Sequence, residues 1–229
     1  MKLITDVDEV LTTTRTVRFR LDFDRAVTRE LIEECLSIAQ QSTMGSNVEE
    51  WRVVAVTQEK LKLKIAELYR DTYEQLVARP LRENDQVVQE RLAPALRGSV
   101  GDQKRQQKIM DGVKYLAENL ENVPVIMVFA TTTPAPPEPV GKLASGFYGT
   151  IFPMIWSFQL ALRSRGLGSV MATGAMHHAN EISKLLNFPD NFIPITIIPV
   201  AHTKGLNFNA AHRLPVKDIL RFNTWGKGE

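Results

Sequence analysis

The chain has 229 residues, of which 44% are hydrophobic and 24% are charged, and its formal net charge is +2. This composition is that of an ordinary folded globule and excludes disordered and fibrous proteins. The near balance of charge argues against a general nucleic-acid binder, which needs surplus lysine and arginine to neutralise phosphates. The single cysteine, Cys35, excludes an intramolecular disulfide and a cysteine-based zinc site, which fits a reducing compartment.

The amino-terminal part of the chain predicts a cytoplasmic protein whose structure begins with a helix and a strand. The sequence MKLITDVDEVLTTTR has acids where a signal peptide would need an uninterrupted apolar stretch. Thr28 is a good N-cap for a helix, because apolar residues recur at helical spacing over residues 31–39. The β-branched run WRVVAV at residues 51–56 predicts a strand, and further helices are predicted over residues 59–73 and 104–120.

The middle of the chain combines a charged segment with a buried strand. Residues 82–108 are dense in charge and contain proline and glycine, which predicts a surface excursion that acts as a lid. Residues 123–130 form a nearly continuous apolar run, typical of a strand buried on both faces. Four prolines within residues 131–140 exclude helix and ladder there and predict an extended connection.

Residues 143–162 carry no charge over a length that would span a membrane. Interruptions by glycine, proline and polar residues favour a helix buried in protein, which Gly166 would end. A strand over residues 169–173, a helix capped by Asn180 and a buried strand over residues 195–201 are then expected. This order of elements predicts one α/β or α+β sandwich, with helices on both faces of a mixed sheet.

The usual catalytic and metal motifs are missing from the sequence. The four histidines, His177, His178, His202 and His212, lack metal-binding spacing, so we interpret them as surface or capping residues and expect no metal site. The string GLGSVMATG at residues 166–174 closes a helix and enters a strand, which is the wrong context for a dinucleotide fingerprint. It still places backbone amides where they can donate to a flat ligand.

Arginines provide the clearest sign of a binding site. Arg15, Arg18 and Arg20 precede the first predicted helix and alternate with threonines, so cations and hydroxyls can converge on an anion there. Arg213 lies far along the chain in a segment without a regular pattern. On spacing alone, the alternative that these arginines are solvated surface charges stays open.

Four segments, in order and over almost the whole chain, resemble the FMN-dependent nitroreductase family. They are TTTRTVRFRLDFD (12–24), STMGSNVEEWRVVAV (42–56), IFPMIWSFQLALRSRGLGSVMATG (151–174) and ISKLLNFPDNFIPITIIPVAH (182–202). The resemblance implies one α+β domain over residues 1–229, a three-layer α/β/α sandwich with a mixed central sheet. It also implies an intimate homodimer that holds one FMN in each of two pockets at the subunit interface.

The resemblance further implies which residues bind FMN. Arg15, Thr16 and Arg213 would bind the phosphate, and Arg18 would approach the pyrimidine edge of the flavin. The stretch that lines the ring from the partner subunit corresponds to Thr43, Met44, Gly45 and Asn47, and backbone near flavin N5 and O4 corresponds to Ala172, Thr173 and Gly174.

Three departures from the family pattern bear on function. Thr14 stands where the family usually has its first arginine, which removes a phosphate contact worth roughly 1.5–3 kcal/mol. Thr43 and Met44 replace the usual Pro-Ser. Glu49 and Glu50 replace the usual Gln-Pro, and an acid facing the flavin would lower its potential or select a cationic substrate, whereas an acid facing solvent would do neither.

The resemblance implies an FMN-dependent oxidoreductase that works by a ping-pong mechanism. NAD(P)H would deliver hydride to the flavin, and a small nitroaromatic, quinone or related acceptor would then take the electrons. Because the cofactor carries this chemistry, no catalytic side chain is expected. The alternatives are an enone or halogenated-aromatic reductase, a non-catalytic FMN-binding or flavin-sequestering protein of the same fold, and an interaction module with an empty pocket.

Overall fold

The structure is a computed structural model and describes residues 4–79 and 103–225. In these ranges the helices are α1 (Val7–Thr13), α2 (Arg29–Ala39), α3 (Glu59–Tyr73), α4 (Gln103–Asn119), α5 (Lys142–Ser164), α6 (Ala179–Leu185) and α7 (Val216–Ile219). The strands are β1 (Leu21–Asp22), β2 (Trp51–Val56), β3 (Val125–Thr131), β4 (Leu167–Ser169) and β5 (Ile193–Thr203). Short 3₁₀ turns occupy Gly45–Asn47, Leu120–Asn122 and Thr173–His178, and a π-helical turn over Glu74–Ala78 continues α3.

The described strands form one sheet in the order β1-β5-β3-β2, and β4 also pairs with β5. All the ladders between named strands are antiparallel. A parallel bridge joins Thr16 to Ser169, beside the end of β4. The predicted α+β class is therefore confirmed. The parallel pairing expected of a mixed sheet is found at the bridge between Thr16 and Ser169.

Side-chain alternation along β3 divides the core into two layers. Ile126 and Val128 pack with Ile65 of α3 and Leu116 of α4 on one face of the sheet. Met127 and Phe129 point to the other face, where they pack with residues of α2 and α5. Because successive strand residues face opposite sides, a fully apolar strand predicts helices on both faces, as observed.

The uncharged segment forms the long helix α5, as predicted. Ile155, Phe158 and Leu162 are completely buried against the sheet. Gly166 follows the helix with a φ of 71°, a left-handed conformation that glycine adopts readily and that reverses the chain. No helix in the described ranges combines the length and apolar character needed to cross a membrane.

Two predicted elements lie at different positions. The strand predicted at residues 169–173 occurs at Leu167–Ser169, because the chain reverses at Gly166 and pairs at once with β5. The helix predicted to be capped by Asn180 begins at Ala179, with His178 in the N-cap position. The expected start of the strand and the expected N-cap were each wrong by two residues, and the expected end of the strand was wrong by four.

Helix α1 was not predicted, because the segment lacks a buried apolar face. Its first turn is instead stabilised by Asp6, whose carboxylate accepts a hydrogen bond from the Glu9 backbone at 2.7 Å. Of the charged excursion predicted over residues 82–108, residues 82–102 lie outside the described residues. The remaining residues, 103–108, belong to α4.

The single thiol, that of Cys35, should be chemically inert in the folded protein. Cys35 is completely buried on α2, and burial raises its pKa to about 11. Because the thiolate is the reactive form, a disulfide reagent at pH 8 should modify the native protein at least about two orders of magnitude more slowly than the unfolded chain. Equal rates in buffer and in guanidinium chloride would contradict this placement.

Candidate functional site

Hydrogen bonds at β4 and β5 bring two of the predicted binding segments together. The Val17 backbone N–H donates to the Ser169 carbonyl at 3.0 Å, which fixes the loop between α1 and β1 against β4. Three residues after Ser169, the Ala172 N–H donates to the Ile197 carbonyl at 2.9 Å. The loop with Arg15, Thr16 and Arg18 therefore lies beside the turn with Ala172, Thr173 and Gly174.

Arg18 is a partly buried cation whose charge is poorly compensated. Its Nε is buried and has no hydrogen-bond partner among the described residues. A Cβ atom added at Gly112 on α4 would lie only 3.3 Å from Cδ of Arg18. The aliphatic part of the arginine side chain therefore packs in the space left by the absence of a side chain at Gly112. Burial lowers the pKa of the guanidinium. A partly desolvated cation with an unsatisfied N–H group is costly, so this position favours an anionic or strongly accepting ligand.

The other arginines of this loop bind the carboxyl-terminal segment. Arg15 Nη1 donates to the Asn209 carbonyl at 2.8 Å. Arg20 donates to the carbonyls of Lys204, Gly205 and Asn207. Arg20 thus has a structural role and does not join Arg18 in a cluster of free cations.

Arg213 lies four residues beyond Asn209, in the segment that Arg15 anchors. Its guanidinium is exposed, and its Nη1 donates to the carbonyl of the preceding residue, His212, at 3.2 Å. The structure therefore brings the backbone leading to Arg213 near Arg15. Its phosphate-binding role stays a prediction.

Phe208 fixes the start of this segment between two guanidinium groups. The Cζ of Arg20 lies 4.0 Å from the ring centroid, and the Cζ of Arg163 lies 4.8 Å from it. Arg163 also donates to the Thr13 hydroxyl and to the Leu206 carbonyl. The ring of Phe208 therefore connects the loop between α1 and β1 with α5 and the carboxyl-terminal segment.

We expect Phe208→Leu to lower the free energy of unfolding by about 1–2 kcal/mol, because both cation–π contacts are lost while much of the apolar volume remains. Chemical denaturation of the purified variant measures this change. Phe222→Leu is the control, since that ring is 81% exposed, and it should change stability by less than about 0.5 kcal/mol. Equal effects of the two substitutions would contradict the stacking role.

The segment with Thr43, Met44, Gly45 and Asn47 packs elsewhere in the same chain. The Gly45 N–H donates to the hydroxyl of Thr150 on α5 at 3.2 Å, and Met44 packs against the core layer formed with α2 and α5. Asn47 adopts a left-handed conformation with a φ of 54°. Its expected role, to line the flavin bound mainly by the other subunit, stays a prediction.

The side chains of Glu49 and Glu50 lie in different environments. The Glu50 carboxylate accepts a hydrogen bond from the Thr133 hydroxyl, and its carbonyl accepts one from the Thr132 N–H at 3.0 Å. Glu49 is exposed. In this chain, Glu50 is therefore tied to the end of β3, and Glu49 is the acid that is free to meet solvent or a ligand.

Thr14, at the position where the resemblance implies an arginine, ends α1. Its N–H and its hydroxyl both donate to the Val10 carbonyl, at 3.0 and 2.6 Å. At this position the chain therefore has a threonine that caps the end of α1 and no positive charge. This leaves Arg15 as the first cation of the loop.

One histidine, His202, differs from the prediction. His178 occupies the N-cap position of α6, in keeping with a capping residue, and its Nε2 lies 2.8 Å from Oδ2 of Asp71, which joins the turn Thr173–His178 to α3. The amide of Gln75 and then His178 lower the pKa of Asp71. His202 is buried at the end of β5, and burial lowers its pKa. No group of three metal-ligating side chains occurs in the described part of the chain.

Comparisons with known proteins agree with this architecture. The sequence matches the nitroreductase family model over residues 11–202. The chain belongs to the nitroreductase family. A search of the curated proteins gave no match.

Several solved structures share the fold. Iodotyrosine deiodinase bound to FMN and 3-iodo-L-tyrosine is 20% identical, with a TM-score of 0.66 over 96% of this chain and 100% of that chain. A BluB-like flavoprotein from Clostridium difficile is 18% identical, with a TM-score of 0.66 over 96% and 100% of the two chains. The NADPH:FMN oxidoreductase from Vibrio harveyi complexed with NAD+ is 15% identical, with a TM-score of 0.63 over 97% and 79%.

Proposed function

We propose that this protein binds FMN and acts as an NAD(P)H-dependent oxidoreductase on nitroaromatic, quinone or related small acceptors. The observation that carries the proposal is the partly buried guanidinium of Arg18, whose Nε has no hydrogen-bond partner in the described part of the chain, in a loop beside the turn with Thr173 and Gly174. A cation in that position suits a ligand whose ring becomes anionic on reduction. Membership of the nitroreductase family supports the same conclusion.

The residues of this chain fit FMN. Arg18 has an orphaned buried Nε, and Gly112 leaves the space that its side chain occupies. Ala172 commits its N–H to Ile197, and the next two residues are exposed and able to meet a flat ring. The residues proposed to hold FMN in one chain are Arg15, Thr16 and Arg213 at the phosphate, Arg18 at the pyrimidine edge, and the backbone of Ala172, Thr173 and Gly174 at the ring.

The protein's own groups bind and orient, and they supply no covalent chemistry. When bound, FMN would supply the hydride-accepting and electron-donating chemistry of a ping-pong cycle between NAD(P)H and the acceptor. Arg18 contributes a fixed positive charge in a partly dry site, where charge is more effective than in water. The exposed position of Thr173 and Gly174 leaves room for a substrate to approach the same region.

A homodimer with FMN sites at the subunit interface is part of the proposal. Large apolar side chains remain exposed on and around α5 in the described part of the chain. They are Ile38, Val48, Leu143, Tyr148 and Trp156, each between 42% and 66% exposed. Apolar side chains exposed on a helix and its neighbours are available to pack against a protein partner. The same region carries Gly45–Asn47, so pairing through it places that turn toward a second chain.

The activity test is a set of steady-state rates for the FMN-loaded protein. We expect NADH or NADPH to support turnover of a nitroaromatic and a quinone, with parallel-line kinetics when both substrates are varied. Preferential turnover of an enone or a halogenated aromatic would redirect the proposal to a different acceptor class. Retained FMN with no turnover of any acceptor would overturn it in favour of a flavin-sequestering protein.

A further inference from the structure

Tyr69 is a buried phenol between the two segments of the candidate site. The residue is 7% exposed on α3 and packs in the same core layer as Val17, Val170 and Ala172. Val17 directly precedes Arg18, and Ala172 begins the turn with Gly174. Tyr69 therefore belongs to the core layer that supports both binding segments, although the sequence analysis did not single it out.

Two further observations place the ring of Tyr69 at the site itself. Its Cε2 lies 3.8 Å from where a Cβ at Gly174 would be. Burial raises the pKa of the phenol, and the positive charge of Arg18 acts in the opposite direction and lowers it. Tyr69 thus lies next to Gly174 on one side and within electrostatic reach of Arg18 on the other.

The hydroxyl of Tyr69 has no hydrogen bond within the described part of the chain. The hydroxyl is not among the fully buried polar atoms that lack a partner, so it remains accessible at the surface although the ring packs in the core. A flat ligand that lies against Gly174 can therefore accept a hydrogen bond from it.

We propose that Tyr69 is a further residue of the FMN site, whose hydroxyl donates a hydrogen bond to the flavin ring system beside Arg18. This inference rests on the proposed function. Burial raises the pKa of the phenol, so it stays protonated at neutral pH and acts as a neutral donor. Arg18 would provide positive charge near the ring, and the hydrogen bond from Tyr69 would fix the orientation of the ring.

The test compares the binding of FMN and of riboflavin, which has the same ring but no phosphate, in flavin-fluorescence titrations. Tyr69→Phe should raise the Kd for both ligands by about fivefold, since a neutral hydrogen bond contributes roughly 1 kcal/mol. Tyr73→Phe is the matched control, because Tyr73 lies one turn further along the helix and lines a different groove with Arg70 and Lys114. The control should leave both Kd values unchanged.

The outcomes separate this inference from the proposed function. If the unaltered protein binds neither flavin, the proposed function fails. If it binds both and Tyr69→Phe binds them equally well, or loses affinity for FMN alone, the assignment of Tyr69 to the ring is overturned. The melting temperature of the ligand-free variant checks for a purely structural role, and we expect it to match that of the ligand-free unaltered protein within the error of the scan.

Discussion

Replacing Arg18 by glutamine should raise the Kd for FMN by about one to two orders of magnitude. Glutamine keeps a hydrogen-bond donor but removes the charge, and a hydrogen bond to a charged group contributes roughly 1.5–3 kcal/mol. Titration of the ligand-free protein with FMN, followed by quenching of flavin fluorescence, measures the change directly.

The free energy of unfolding of the ligand-free Arg18→Gln variant tests the role of Arg18 in a second, independent way. Because Arg18 has a buried Nε without a partner, its neutralisation should leave the free energy of unfolding unchanged or raise it. Arg29→Gln serves as the control, since that side chain is 85% exposed and pairs with Glu33 on α2. Equal FMN affinity of Arg18→Gln and the control would contradict the role assigned to Arg18.

Gly168→Ala should lower the free energy of unfolding by about 2–3 kcal/mol, near the upper end of the range for overpacking a core. A Cβ at this position in β4 would lie 2.7 Å from Thr203 Cγ2 and 3.0 Å from both Cβ and Cγ1 of Val17. To relieve the clash, Val17 must move away from β4 and carry Arg18 with it. We therefore expect weaker FMN binding together with lower stability, measured by urea denaturation and by titration.

A second substitution tests whether the clash is the cause. Thr203→Ser removes Cγ2 and keeps the hydroxyl that donates to the Gly166 carbonyl. The double variant Gly168→Ala/Thr203→Ser should therefore recover part of the lost stability, since contacting residues are energetically coupled. Strictly additive losses would show that crowding at Thr203 does not explain the effect.

Local sequence patterns predicted most of the framework. Trp51–Val56 and Glu59–Tyr73 have the predicted bounds, because an apolar β-branched run and a strong helical periodicity each leave little freedom. The apolar run near residue 125 became the fully buried strand β3. Pro199 lies inside β5, paired with Ile126, within the buried strand expected over residues 195–201.

The candidate site was less predictable, since it depends on pairings between distant residues. His178 meets Asp71 across 107 positions of sequence, and Arg20 meets the segment that begins at Lys204 across 184. No local spacing encodes such contacts. Tyr69 illustrates the same limit, because its helical periodicity indicates a core residue, and only the fold places its ring beside Gly174.

The most direct test of the central claim is the visible absorption spectrum of the protein after FMN addition and desalting, followed by anaerobic NADPH and then NADH. We expect flavin bands that persist through desalting and bleach with at least one nucleotide, because the proposed site would hold FMN with its ring accessible. Protein that emerges colourless from desalting would contradict the FMN site, and bands that never bleach would contradict the oxidoreductase activity.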